Sequence, residues 1–210
     1  MPSFSKILLG SVAAGGVGTG GVMTLRHFSS KEESIKEALK GEDIELISSL
    51  AIPKAQYELE YESDKDLIKK EINYQGDKKD EGGAKLKEWC DSKILLPSKD
   101  NGDLISKIKK WCSIRTVSNQ LSRAGKTLLT ASSKADNWNK ALQEVKKVKK
   151  DRTKVGLDGN WDQNTDTNDI NTMKTWCTGK GDEKFLATNK ESIYDIVESW
   201  CSVNTTNYVN

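Results

Sequence analysis

The sequence predicts a mainly α-helical protein: two degenerate tandem helical modules, each a small bundle, follow an N-terminal membrane segment. Each of the four cysteines directly follows a tryptophan, and the pairs form two sets whose cysteines are 22 and 24 positions apart. Apolar residues near these pairs recur at intervals of three and four, which places them on one helix face. A hydrophobic content of 35% and a charged content of 30% suit helices with a modest core and a solvated surface.

The first predicted element is a membrane segment at residues 7–25, an uncharged stretch bounded by Lys6 and Arg26. Its length is adequate, because about 20 apolar residues span a bilayer as a helix. Its many glycines keep two alternatives open, a cleaved signal peptide and a flexible or interfacial segment. We assign residues 1–28 to a signal or anchor segment, and we predict the membrane as a partner through residues 7–25.

The rest of the chain is electrically neutral. Of the 33 basic residues, Lys6 and Arg26 flank the membrane segment, and the remaining 31 match the 31 acidic residues. A neutral domain has no global field that attracts nucleic acid, so we predict no nucleic-acid partner. The single histidine, His27, lies at the membrane edge with no evident cysteine or serine partner. The sequence therefore offers no catalytic residue, and we predict no enzymatic activity.

Residues 29–118 are predicted to form the first module. Its first helix carries Ile35 and Leu39 on one face, after a capping box in which Ser29 and Ser30 precede two glutamates. The predicted elements are a helix ended by Gly41, a short helix within 43–50, a minor strand at 56–61, a helix over 64–73, a charged glycine-containing linker over 75–83, and a helix pair ending near Trp89 and Trp111.

Residues 119–210 are predicted to form the second module. Its strongest helix covers 135–150, after a capping box from Ser133 to Asp136. The apolar face of that helix consists of Trp138, Leu142, Val145 and Val148. A polar loop over 156–169 then leads to two helices that end near Trp176 and Trp200.

Matching segments indicate that the second module repeats the first. Trp111-Cys112-Ser113 matches Trp200-Cys201-Ser202, and Leu46-Ile47 resembles Leu128-Leu129. Lys93-Ile94-Leu95 parallels Lys184-Phe185-Leu186. The period is too long for a solenoid repeat, so two similar bundles side by side are expected.

The four cysteines, Cys90, Cys112, Cys177 and Cys201, are predicted to form two structural disulfides. Pairing within each set would tie each helix pair together, although four cysteines allow three connectivities. The alternative is four buried thiols packed beside indoles in a reducing compartment. A zinc site is disfavoured because the chain has no closely spaced cysteine pair.

The tryptophans are predicted to be structural. Their regular spacing on helix faces favours core packing over an aromatic platform for sugars or bases. The predicted structural core residues are Trp89, Trp111, Trp138, Trp176 and Trp200.

Three further motifs resemble ligand sites, and each has a simpler interpretation. Gly125-Lys126-Thr127 resembles the end of a phosphate-binding loop, but the required first glycine is Gln120, so we expect a polar turn before a helix. The loop from Asp158 to Asp169 resembles a calcium loop without its glycine and glutamate, so we expect a solvated turn in which Asp169 caps the next helix. Lysines at 146, 147, 149 and 150 suit the end of a helix. We therefore predict no cofactor and no metal.

The glycine-rich start, the repeated Trp-Cys helix ends and the Asn137-Trp138 to Ala141-Leu142 core resemble the paralogous families of uncharacterised proteins encoded by haemotropic mycoplasmas. The resemblance covers most of the chain and contains no catalytic motif. It implies a surface-exposed protein that contributes to antigenic variation in a wall-less bacterium with one membrane. No functional residues are carried over from it.

The resulting expectation is a non-enzymatic surface protein at the cell membrane, facing the exterior, with a host protein or an antibody as its partner. The alternative is a cytoplasm-facing, membrane-bound scaffold protein whose cysteines are reduced.

Overall fold

The computed structural model describes residues 32–161 and 166–209. The predicted signal or anchor segment, residues 7–25 included, lies outside the described residues, as does His27. Within the described ranges, no helix is both long enough and apolar enough to cross a membrane.

The described chain is mainly helical, as predicted. The N-terminal half contains the α-helices α1 (Ile35–Gly41), α2 (Pro53–Ser63), α3 (Lys65–Glu71), α4 (Lys79–Lys93) and α5 (Gly102–Trp111). The C-terminal half contains α6 (Val117–Arg123), α7 (Ala135–Lys147), α8 (Asp166–Cys177) and α9 (Asp195–Trp200). Two short strands, β1 (Lys126–Leu128) and β2 (Ser202–Asn204), pair antiparallel, and a π-helical turn (Lys190–Tyr194) precedes α9.

Helix α1 begins with a capping box at Ser34, whereas Ser29 and Ser30 of the predicted box lie outside the described residues. The Ser34 side chain accepts a hydrogen bond from the Glu37 N–H, and the Glu37 carboxylate accepts one from the Ser34 N–H. The predicted helix end at Gly41 is confirmed, and Ile35 and Leu39 are fully buried. The cap forms at Ser34 because that serine directly precedes the apolar face and has an acid three residues later.

The predicted strand at 56–61 is wrong, because these residues lie in the middle of α2. The alternation of Tyr57 and Tyr61 with charged residues also fits a helix, since positions four apart share a helix face. Both tyrosines are buried. Pro53 occupies the first turn of α2, where a missing N–H costs nothing, so it starts this helix.

The predicted linker over 75–83 is also wrong in its second half, because α4 begins at Lys79. Gly82 and Gly83 are buried where α4 packs against α2. A Cβ atom at residue 82 would lie 2.3 Å from the Tyr61 ring, and one at residue 83 would lie 2.8 Å from the Glu58 backbone. These glycines therefore permit a close helix–helix approach and are not part of a flexible connection.

We predict that Gly83→Ala lowers the free energy of unfolding by about 1–3 kcal/mol, since the added methyl group forces α4 away from α2. Gly102→Ala is the matched control, because Gly102 is also helical and no atom lies within 4 Å of the place that an added methyl group would occupy. That control should be neutral or slightly stabilising. Urea unfolding followed by far-UV circular dichroism compares them, and equal midpoints would contradict the packing argument.

Helix α7 follows its prediction closely. Trp138, Leu142 and Val145 are buried, whereas Val148 is 62% exposed because the helix ends at Lys147. The predicted capping box at Ser133 is absent, because the Ser133 hydroxyl accepts a hydrogen bond from the Thr130 N–H instead.

The buried apolar residues form two clusters. The N-terminal core contains residues between Ile35 and Cys112. The C-terminal core contains residues between Val117 and Cys201, together with Leu59 from α2. Each core encloses one pair of cysteines, and residues 32–210 form one compact unit.

Short backbone pairings connect the two ends of each half. In the N-terminal half, the Ile47 N–H donates to the Cys112 carbonyl at 2.9 Å. In the C-terminal half, the Leu129 N–H donates to the Cys201 carbonyl at 2.7 Å, beside the β1–β2 pair. Residues Lys126 and Thr127, expected in a polar turn, thus lie in a short strand.

Candidate functional site

The cysteines form two disulfides, Cys90–Cys112 and Cys177–Cys201, and no free cysteine is present within the described ranges. Of the three possible connectivities, the structure has the one that pairs cysteines within each set. Each bond joins the C-terminal part of one helix to the residue that follows another helix, with Cα atoms 5.7 Å apart in both. In a loop-entropy description, each bond contributes about 3 kcal/mol to stability.

The predicted core tryptophans fall into two groups. Trp111, Trp138 and Trp200 are buried, whereas Trp89 and Trp176 are only half-buried against the cores. On a helix, the neighbour of an inward-facing residue is rotated by about 100°, so Trp89 and Trp176 lie at the core edge beside buried Cys90 and Cys177. The aromatic pairs are Trp89 with Trp111, edge to face at 6.1 Å, and Trp161 with Trp200, stacked at 5.9 Å.

A buried charge cluster joins α2 to the start of the C-terminal half. Glu60 is 1% exposed and forms ion pairs with Arg115 and Arg123. Burial raises the pKa of the Glu60 carboxyl, and the two guanidinium groups counteract that rise. Burial likewise lowers the pKa of Arg115, against the attraction of Glu60. Sequence analysis missed this cluster, since Glu60 is one of several alternating acids in its segment.

Asp64 extends the same cluster towards the surface. It accepts a hydrogen bond from the Trp111 indole N–H at 2.9 Å and pairs with Lys110 and Arg123. Burial alone would raise the pKa of Asp64, but the hydrogen bonds from Lys110 and Trp111 and the charge of Arg123 hold it below its usual range. The cluster is thus an electrostatic connection between packed helices, with no nucleophile in it.

The predicted cap at Asp169 is wrong, because that residue lies inside α8, where it is buried in an ion pair. Arg152 donates two hydrogen bonds to the Asp169 carboxylate, at 2.7 and 2.9 Å, and also binds the Asp158 carbonyl. The Arg152 guanidinium lies 4.7 Å from the centre of the Trp161 ring. A carboxylate engaged in this way holds the 152–161 segment against α8.

No metal cluster is found in the part of the chain that the structure describes, where no three His, Cys, Asp or Glu side chains converge. Two of the four lysines predicted at a helix end, Lys146 and Lys147, lie in the last turn of α7. Lys146 pairs with Asp166 at 2.7 Å.

A buried glutamine holds the two halves together. The Gln56 side chain donates to the Phe185 carbonyl at 3.1 Å and accepts from the Ala187 N–H at 2.7 Å. Beside it, Lys184 pairs with Glu45. Asn137 makes the same kind of two-way contact with the C-terminal tail, donating to the Val209 carbonyl and accepting from the Val209 N–H, both at 2.9 Å. Neither amide gave a sequence signal, because both partners are distant in the chain.

An apolar groove lies next to Gln56 and is the candidate interaction site. Its volume is about 190 Å³, below the roughly 300–1,000 Å³ of typical small-molecule pockets. It suits one or two inserted side chains better than a metabolite. The lining residues are Leu50, Ala51, Ile52, Ala55, Gln56, Leu186, Ala187 and Thr188.

Several larger, open depressions are lined by charges of both signs. One of about 520 Å³ is lined by Lys126, Lys140 and Lys150 together with Glu144 and Glu198. Lys126 lies 3.5 Å from Glu198, so the two charges offset each other. Neither charge sign dominates this surface.

Comparison with protein-family models, curated proteins and solved structures finds no match for this chain.

Proposed function

We propose that this chain is a non-enzymatic, membrane-attached surface protein whose folded domain faces the exterior and contacts host components or antibodies. The observation that carries the proposal is the pairing of all four cysteines into two disulfides. Such bonds persist in oxidising, extracellular environments and are rare in reducing ones. This pairing favours export over the cytoplasm-facing scaffold.

The membrane attachment rests on the sequence of residues 7–25, which is uncharged between Lys6 and Arg26. The neutral charge balance and the mixed charges of the open depressions support contact with proteins more than with nucleic acid or anionic lipid. The resemblance to mycoplasma surface families supports the same function.

We also propose that the domain consists of two copies of one module. In both halves an N–H donates to the carbonyl of the second cysteine of a pair, from Ile47 to Cys112 and from Leu129 to Cys201. The first helices match too: Ile35 donates to the Leu96 carbonyl, and Val117 donates to the Glu183 carbonyl, each at 2.8 Å.

These pairings give a register for the repeat. Leu96 corresponds to Glu183, so Lys184 corresponds to Pro97. The matching of sequence segments had instead paired Lys184 with Lys93. The predicted module boundary between 118 and 119 lies inside α6. The Arg115 carbonyl accepts a hydrogen bond from the Phe185 N–H, as the Glu33 carbonyl accepts one from the Ser98 N–H. Arg115 therefore corresponds to Glu33, at the beginning of the first half, and we place the boundary between Ile114 and Arg115.

The test uses intact cells that produce the full chain. Surface protease followed by intact-mass analysis, with alkylation before and after reduction, reports location and cysteine state together. Cleavage of the domain on intact cells, with alkylation only after reduction, is the expected result. Protection from protease together with four alkylated cysteines before reduction would contradict the proposal and favour the scaffold.

A further inference from the structure

Two adjacent leucines are exposed in the turn that follows α4. Leu95 is 68% exposed and Leu96 is 38% exposed. The other large exposed apolar residues within the described ranges are Ile52, Leu67 and Val148, and none of them has a second one beside it in sequence. Scattered apolar residues are normal on a surface, but an adjacent pair in a turn calls for a covering environment.

The turn that carries these leucines is fixed to the residues that follow the N-terminal segment. The Ile35 N–H donates to the Leu96 carbonyl, and the Ser98 N–H donates to the Glu33 carbonyl, both at 2.8 Å. The leucines therefore lie beside the point at which the folded domain begins. We call residues 95–97 the leucine turn.

The second half places acidic residues at the matching positions. The Val117 N–H donates to the Glu183 carbonyl, as the Ile35 N–H donates to the Leu96 carbonyl. Asp182 and Glu183 therefore correspond to Leu95 and Leu96. A charged pair is what a solvated turn favours. The same backbone position thus carries two acids in one half and two exposed leucines in the other.

In the second half, apolar residues after the acidic pair and in the C-terminal tail are held by contacts within the chain. Phe185 follows the acidic pair, is 1% exposed, and is held by Gln56. Asn137 holds Val209 of the C-terminal tail in the same two-way manner. The leucine turn has no such cover within the described residues, and it lies beside residues 33–35, which follow the apolar N-terminal segment in the sequence.

We propose that the leucine turn inserts Leu95 and Leu96 into the interfacial region of a phospholipid bilayer, beside the attachment of residues 7–25. This inference rests on the membrane attachment in the proposed function. Six residues lie between Arg26 and Glu33, and the seven Cα-to-Cα steps span at most about 25 Å when fully extended. The turn therefore cannot lie far from a bilayer that holds residues 7–25.

The charges around the turn are of both signs. The basic residues near it are Lys93 and Lys99, and the acidic residues are Glu33 and Asp100. We therefore expect apolar insertion, which does not need anionic lipid, as opposed to electrostatic adsorption. Contact should be equal in vesicles of phosphatidylcholine alone and in vesicles with added phosphatidylglycerol.

The test places a photo-crosslinking p-benzoylphenylalanine in the full chain in vesicles. The variant Leu95→p-benzoylphenylalanine probes the turn. Asp182→p-benzoylphenylalanine is the control at the matching position, and Val148→p-benzoylphenylalanine is the control of similar exposure. After illumination, mass spectrometry should find a phospholipid adduct at residue 95 and none at residues 148 and 182.

The outcomes separate this inference from the proposed function. A chain that does not float with vesicles contradicts the membrane attachment, and with it this inference. A chain that floats but gives no lipid adduct at residue 95, or equal adducts at all three positions, overturns the leucine turn alone. Crosslinking of residue 95 to a second protein chain also overturns it, because another copy would then cover the turn.

Discussion

Replacing Trp111 with alanine is expected to lower the free energy of unfolding by about 3–5 kcal/mol, the usual range for a buried aromatic residue. Trp111 is 5% exposed, and its indole N–H donates to Asp64 at 2.9 Å. The substitution therefore leaves a cavity beside the Cys90–Cys112 disulfide and removes one hydrogen bond that keeps Asp64 ionised.

Trp89→Ala is the matched control, because the two indoles pack edge to face in the same core. Trp89 is half-buried, so its truncation should cost about 2 kcal/mol or less. Urea unfolding followed by far-UV circular dichroism measures both variants. A Trp111→Ala protein with an unchanged midpoint, or a larger loss for Trp89→Ala, would contradict the assignment of Trp111 to the core.

The proposed repeat extends the same ranking to the second half. Trp200 is 2% exposed and stacks on Trp161, whereas Trp176 is half-buried. If the halves are copies, Trp200→Ala should again be more damaging than Trp176→Ala.

The helices with a simple amphipathic face could be predicted from the sequence. The spacing of Trp138, Leu142 and Val145 places them on one face of α7, and all three are buried. Such a pattern is local, because a helix period is visible within about ten residues. The helical class followed from signals of this kind, whereas the choice among the three cysteine connectivities came only from the structure.

The elements that could not be predicted depend on tight or distant packing. In the sequence, Gly82 and Gly83 look like linker residues. Glycine is required there because Tyr61 and Glu58 approach closely, and both of those residues lie on another helix. Gln56 likewise gives no local signal for its contact with Phe185. A polar residue in an alternating segment is as consistent with a side chain exposed to solvent as with one that is buried against a hydrogen-bond partner.

Glu60 is the clearest example, and its replacement is the second large expected effect. Glu60→Ala should lower the free energy of unfolding by about 3–5 kcal/mol, because it leaves the buried guanidinium of Arg115 without its charge partner. Removing one member of an exposed pair should cost less than about 1 kcal/mol. Glu88→Ala, at the exposed Lys85–Glu88 pair on α4, provides that control.

A triple variant distinguishes the destabilisation caused by one unpaired buried charge from the net contribution of the whole cluster to the free energy of unfolding. Glu60→Leu combined with Arg115→Met and Arg123→Met removes all three charges and keeps the side-chain volume, so it should be far more stable than Glu60→Ala. Equal losses for the triple variant and the single one would mean that shape, and not charge, fixes this position. A recovery would mean that Glu60 is needed because it neutralises buried Arg115 and the partly buried Arg123 beside it. The link between α2 and the start of the C-terminal half would then be electrostatic, and the apolar pattern of the sequence does not encode it.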